Sequence, residues 1–221
     1  MTVELTEVEG RVIGCLMEKE RTTPDHYPLT LNALLSACNQ KSNREPVMTL
    51  SEREVVDALD ALRYEKHLVY QVMAAGSRVP KYRHEMDATL GLAPPDHAVI
   101  SVLLLRGPQT AGEIKAHVGR SFRFESLGAV MDAVESLMRR EDGPLVVELP
   151  RRPGRRERRF MHALFGTAVA MESGDREVAA PAVAEVAGRA DLEQRVADLE
   201  SEVAALRQRV FGGEASEDTE R

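Results

Sequence analysis

Six arginines fall within nine residues: Arg151, Arg152, Arg155, Arg156, Arg158 and Arg159, opposed only by Glu157. Guanidinium forks pair bidentately with phosphate oxygens and are drawn into narrow minor grooves. The run therefore points to a polyanion, with duplex DNA the natural candidate. Arg120 and Arg123 form a smaller basic pair upstream. Lys41, Asn43 and Arg44, with Arg78 and Lys81, form a second, weaker basic edge. Catalytic chemistry finds less support. His26, His67, His84, His97, His117 and His162 are scattered without a shared spacing. Gly112, Gly119 and Gly128 are isolated, so no glycine-rich phosphate loop is formed. Cys15 and Cys38 sit on or beside apolar stripes and read as small core residues. No CxxC or HExxH pattern supplies metal-ligand spacing. The expectation is a protein without catalysis, cofactor or metal.

Whole-chain composition hides the basic run. The chain has 221 residues, net charge −7, 43% hydrophobic and 4% aromatic content. By segment, residues 1–93 carry −3, residues 94–162 carry +3, and residues 163–221 carry −7. A polyanion responds to the local field, not to the sum. The length allows two small domains. The start is acidic and has no apolar core, so no signal peptide is expected. The longest apolar run, Val99 to Leu105, is interrupted by Ser101 and is too short for a membrane span. A cytoplasmic chain with free thiols is the expectation, with no membrane partner.

The elements that must position these residues follow from periodicity. A first helix is expected from Thr6 to Lys19, capped by Thr6 with Glu9. Pro28 is expected to start a second helix carrying Leu31, Leu34 and Leu35. Ser51 with Glu54 should cap a third, running to Lys66 on Val55, Val56, Leu59 and Leu62. Strands are expected at Leu68–Met73 and Val79–His84 around a turn at Ala75-Gly76-Ser77. After Pro94-Pro95 the pattern repeats. Helices read at Asp96–Leu105, Thr110–His117 and Ser126–Arg139, and strands at Leu145–Leu149 and Glu157–His162. Asp57–Leu62 aligns with Asp132–Leu137, and Pro28-x-Thr30 with Pro108-x-Thr110. Helix–helix–helix–strand–turn–strand, twice, is the order of a duplicated winged helix.

The expected class is therefore mainly α with small β-hairpins (α+β), as tandem winged-helix domains at 1–93 and 94–165. A linker follows at 166–188, then a C-terminal heptad helix at 189–211 and an acidic tail at 212–221. Val196, Val203 and Val210 take one heptad position; Leu192, Leu199 and Leu206 take the other. That pattern suits a parallel two-stranded coiled coil and a homodimer, though the helix could equally fold back on a domain.

Both third helices are poor base readers. The first carries Glu52, Glu54, Asp57, Asp60 and Glu65 against Arg53, Arg63 and Lys66. The second carries Asp132 and Glu135 and is basic only at Arg139 and Arg140. Ser51 and Ser126 are better explained as caps. The pattern favours backbone contact over base readout. The competing reading is a scaffold for an unknown protein partner. For the polar run 39–45 the plain alternative is structural: Asn39 and Asn43 satisfying loop groups, Lys41 and Arg44 pairing with Glu45 or the acidic third helix.

Three stretches carry a resemblance. They are Arg11 to Lys19 with Thr22 to Leu34, Ala37 to Val47, and Gly76 to His84. Over about residues 3–165 the chain resembles the YceH-like family of bacterial proteins, a family of unknown function. The match is specific because long polar runs agree. The resemblance implies a pair of winged-helix domains and carries no catalytic or ligand role. Asn39, Gln40, Lys41, Ser42, Asn43, Arg44, Arg78, Lys81 and His84 fall on positions typical of the family, and the tail resembles its variable end.

Overall fold

The structure is a computed structural model, and it describes residues 3–73, 79–151 and 157–166. Arg78, Arg152, Arg155 and Arg156 lie outside the described residues. So do the turn at 75–77, the linker, the acidic tail and the heptad positions Leu192, Val196, Leu199, Val203, Leu206 and Val210.

Helix α1 (Glu7–Thr22) begins as expected: the Thr6 hydroxyl accepts from the Glu9 amide, and the Glu9 carboxylate accepts from the Thr6 amide at 2.7 Å. Next come β1 (Leu29–Thr30), α2 (Leu31–Cys38), α3 (Glu52–Asp60), β2 (Val69–Val72), β3 (Lys81–His84) and a short α4 (Met86–Leu90). The second series is α5 (Pro94–Arg106), β4 (Gln109–Thr110), α6 (Ala111–Val118), α7 (Leu127–Met138), β5 (Val146–Glu148) and β6 (Arg159–His162). Strands pair antiparallel in two three-stranded sheets, ordered β1-β3-β2 and β4-β6-β5. The fold is mixed α/β, with helices dominating and the sheets small.

Pro28 does not open α2. It precedes β1, and Thr30 caps the helix by accepting from the Ala33 amide. Thr110 does the same for α6 at Glu113. The two series also bury matching side chains: Leu34 and Ile114, Val55 and Val130, Leu59 and Val134, Leu62 and Leu137. The third helix does not run evenly to Lys66. It widens after Asp60, so that the Lys66 amide reaches back five residues to the Ala61 carbonyl.

The core is continuous through both series, and all described residues belong to one compact unit. Its spine is α1 against α5. Every residue from His97 to Leu105 is buried, as is every residue from Glu9 to Met17. A helix apolar on all sides needs cover on all sides, and α5 finds it in α1, α6, α7 and β6. Gly10 and Gly14 allow the close approach. A Cβ on Gly14 would lie 2.9 Å from Leu105 Cδ2 and 3.1 Å from Leu104 Cβ. Cys15 and Cys38 are free, buried thiols in this core. Their mutual contact and burial push the Cys38 thiol up. Among the described residues, no helix is long and apolar enough to cross a membrane.

Candidate functional site

The polar loop between α2 and α3 is a built structure. Arg44 is 3% exposed and uses all five of its N–H donors. Nε donates to the Ala37 carbonyl at 3.1 Å, and Nη1 to Glu18 Oε1 at 3.1 Å and the Asn43 carbonyl at 2.8 Å. Nη2 donates to Glu18 Oε2 at 2.6 Å and Gln40 Oε1 at 3.1 Å. Arg44 is therefore withdrawn from the candidate phosphate contacts, and its carboxylate partner is Glu18 of α1, neither Glu45 nor α3. Burial alone would raise the Glu18 carboxyl. The Arg44 fork, helped by Lys19 at 3.4 Å, holds it below the usual carboxylate range. Arg11, also buried, donates to the Cys38 carbonyl at 3.2 Å and the Pro46 carbonyl at 2.6 Å. Asn39 exchanges two hydrogen bonds with the Leu50 backbone, at 2.7 and 2.8 Å. The Glu45 amide donates to the Leu105 carbonyl, which fastens the loop to α5 as well.

Between this loop, the end of α1, α5 and the end of α6 lies a cleft of about 790 Å3. Lys41, Asn43 and Arg120 converge there with Lys19 and Arg106. Asn43, at φ +58°, turns its side-chain oxygen to accept from Arg106 Nη1 at 2.9 Å. His117 also lines the cleft, and burial and then Arg106 lower its pKa. Its Nδ1 faces Gln109 Oε1 at 2.6 Å, while the Gln109 amide nitrogen donates to main-chain carbonyls. That order assigns the hydrogen of the neutral ring to Nδ1.

The arginine run divides. Arg151 is exposed where the loop after β5 begins. Arg158 is committed to the fold: it pairs with Glu148 across the hairpin at 2.7 Å and lies 5.3 Å over the Phe160 ring. Arg159 is half-buried and donates to the Pro108 carbonyl at 2.9 Å. Both are thus engaged by the fold, Arg158 with 39% of its side chain still exposed. Arg123 is exposed, and Lys81 is half-buried opposite Val72 and Thr30. The structure thus brings Lys41, Asn43 and Arg120 together, but around a cleft and not along a hairpin.

A family described as "Protein of unknown function, DUF480" matches residues 5–155. The chain belongs to this family. A UPF0502 protein of Vibrio parahaemolyticus is 49% identical over 215 residues, covering 95% of this chain and 98% of its own length. The UPF0502 protein YceH of Escherichia fergusonii is 47% identical over 214 residues, covering 95% and 96%. A UPF0502 protein of Geobacter sulfurreducens is 49% identical over 206 residues, covering 93% and 91%. The resemblance read from the polar runs is therefore membership.

This DUF480 chain also holds a buried joint that spacing did not reveal. Potential ligand atoms of Glu20, His84 and His97 come within 4.8 Å of one another. The Met86 amide donates to His84 Nδ1 at 3.2 Å, so the neutral ring carries its hydrogen on Nε2 and directs it to Glu20 at 3.2 Å. A metal-binding histidine needs the reverse, a lone pair at the ion and N–H on the far nitrogen. The hydrogen-bond pattern thus favours a proton-bearing joint over a cation site. His97 places Nδ1 against Asp87 at 2.8 Å and Nε2 against the Met17 carbonyl at 3.1 Å, so both nitrogens face acceptors. The hydrogen bond from His84 lowers Glu20. Burial works against Asp87, but the hydrogen bond from His97 together with the nearby charges of His97, His84 and Arg21 holds that carboxyl low. The joint ties α1, β3, α4 and α5 together.

Proposed function

We propose that this DUF480 protein is a non-enzymatic tandem winged-helix protein that grips the backbone of duplex DNA through the loop between β5 and β6. The observation that supports it best is the element order helix–strand–helix–helix–strand–strand, found twice with the same 1-3-2 sheet order. The loop between β5 and β6 is then the second wing, and it carries Arg151, Arg152, Arg155 and Arg156. The acidic exposed face of α3, with Glu52, Glu54 and Asp57, supports backbone grip over base reading. In this reading the heptad helix pairs two copies, and two wings on one duplex raise the affinity.

Fluorescence anisotropy with a labelled duplex tests it. Four phosphate contacts per protomer imply a log–log salt slope of about −4 for each wing. Each Arg→Ala change in the loop should flatten it by about one. No duplex binding at about 50 mM salt, or a slope indifferent to all four changes, overturns the reading.

A second reading has an observation of its own. Tyr64, Tyr70, Met73 and Val79 are at least half exposed on or beside the first hairpin. Arg63 lies 4.7 Å over Tyr64, and Arg83 lies 5.7 Å over Tyr70. An apolar rim with aromatic anchors suits a protein partner. Under this scaffold reading, Tyr64→Ser with Tyr70→Ser releases a stoichiometric, nuclease-insensitive partner.

A further inference from the structure

The cleft between the loop after α2 and the loop after α6 combines two features that belong together in ligand sites. Its floor is mainly apolar, built from Ala98, Val102 and Leu105 of α5 with Val118 of α6, and Ser101 lies among them. Its walls are cationic: Lys19, Lys41, Arg106 and Arg120. Among the described residues Glu18 is the one carboxylate lining it, and the buried Arg44 fork behind already neutralises it. Arg106 is half-buried and held by Asn43, so its guanidinium is fixed in place. A volume of about 790 Å3 falls in the range of small-molecule pockets.

We propose that this cleft binds a small aromatic anion, a flat apolar body on the α5 floor with its charged head group between Arg106, Lys41 and Arg120. An apolar solute without charge would leave the cations unused, and a bare inorganic ion would leave the floor wet. The site also has a place in the architecture. Lys41 and Asn43 lie in the loop that leads to α3, while Arg120 and Ser121 lie in the loop that leads to α7. An occupant touches both loops at once. The binding step does not depend on the DNA reading, since it is measured without DNA.

The probe is 8-anilino-1-naphthalenesulfonate, an aromatic body with a single sulfonate, titrated into the full-length folded chain and followed by fluorescence. The expected result is saturable binding of one probe per chain. Arg106→Met weakens it at least about tenfold, and Lys41→Met with Arg120→Met does the same. Arg53→Gln, on the exposed face of α3, leaves it unchanged and controls for general charge. Because Arg106 also supports the loop through Asn43, the Lys41 and Arg120 pair is decisive should Arg106→Met unfold the chain; both of those side chains are exposed. Salicylate and adenosine monophosphate compete as arms that separate a carboxylate from a phosphate head group; displacement by either supports the site. Absent or non-saturating binding, binding unmoved by the Lys41 and Arg120 changes, or displacement by equimolar inorganic phosphate as readily as by both aromatic anions overturns it.

Discussion

Replacing Arg44 by Met removes five donors from a site largely closed to water. The side chain is fully buried, and Glu18, its carboxylate partner, is 17% exposed. Met fills much of the volume, so the lost packing is small. What remains is a carboxylate stripped of both its charge partner and most of its water, with orphaned acceptors at Ala37, Asn43 and Gln40. Breaking a buried pair from one side costs about 3–5 kcal/mol. Lys19 lies 3.4 Å from Glu18 and offsets part of that, which places the change near the lower end. A loss of about 3 kcal/mol lowers the melting temperature by on the order of 10 °C for a chain of this size. Urea unfolding followed by circular dichroism reads the midpoint and the slope together. The midpoint should fall with the slope unchanged. Adding Glu18→Gln to Arg44→Met removes the orphaned charge and should restore at least about 1 kcal/mol. An Arg44→Met loss under about 1 kcal/mol, or a double variant no better than the single one, would refute the clamp.

Four further outcomes follow from the packing and the buried histidines. Gly14→Val forces a branched side chain against Leu104 and Leu105, and urea unfolding should show a loss of about 1–3 kcal/mol. Gly14→Ala should be near neutral, since a helix-propensity gain of about 1 kcal/mol opposes the contact. Burial pushes His162 down to about 3, and neither ring nitrogen has a hydrogen-bond partner among the described residues. A histidine lowered in the folded state costs stability as pH falls below its unfolded value of about 6.5, roughly tenfold in the folding equilibrium per pH unit. His162→Phe should flatten stability against pH between about 6 and 4, and an unchanged slope contradicts this. Glu20 and Asp87 are depressed instead. Their contribution is full above the ordinary carboxylate range and is lost as pH falls through their lowered values, so Asp87→Asn should remove part of the acid limb seen in melting temperatures.

Periodicity makes the long helices legible, because α1, α3 and α7 each carry an apolar stripe behind a capping residue, Thr6, Ser51 and Ser126, and α5 carries a long apolar run. The repeat was legible for the same reason: Thr30 and Thr110, and Leu34 and Ile114, occupy equivalent places. Strands β1 and β4 were not, since two residues have no period. Nor was α4, a single turn between β3 and α5. The apolar run on α5 marks it as buried but not that α1 covers it; Gly10 and Gly14, where a Cβ would press on Phe165, Leu104 and Leu105, are the trace of that contact. Charge counting found the arginine run but not which members the fold consumes. Arg158 and Arg159 are taken by Glu148 and Pro108, and Arg44 by Glu18, a residue 26 positions away. The cleft draws its cations from α1, α5 and two loops, so no local window contains it. The joint of Glu20, His84 and His97 is hidden likewise.

The proposed grip of the arginine loop on duplex DNA is tested most directly by amide chemical-shift mapping of the full chain on titration with a duplex at low salt. Perturbations should concentrate between β5 and β6, at Arg151 to Arg156, with smaller ones at Arg123 and the start of α7. Silence in that loop with any duplex, or shifts confined to the Tyr64 and Tyr70 face, contradicts it.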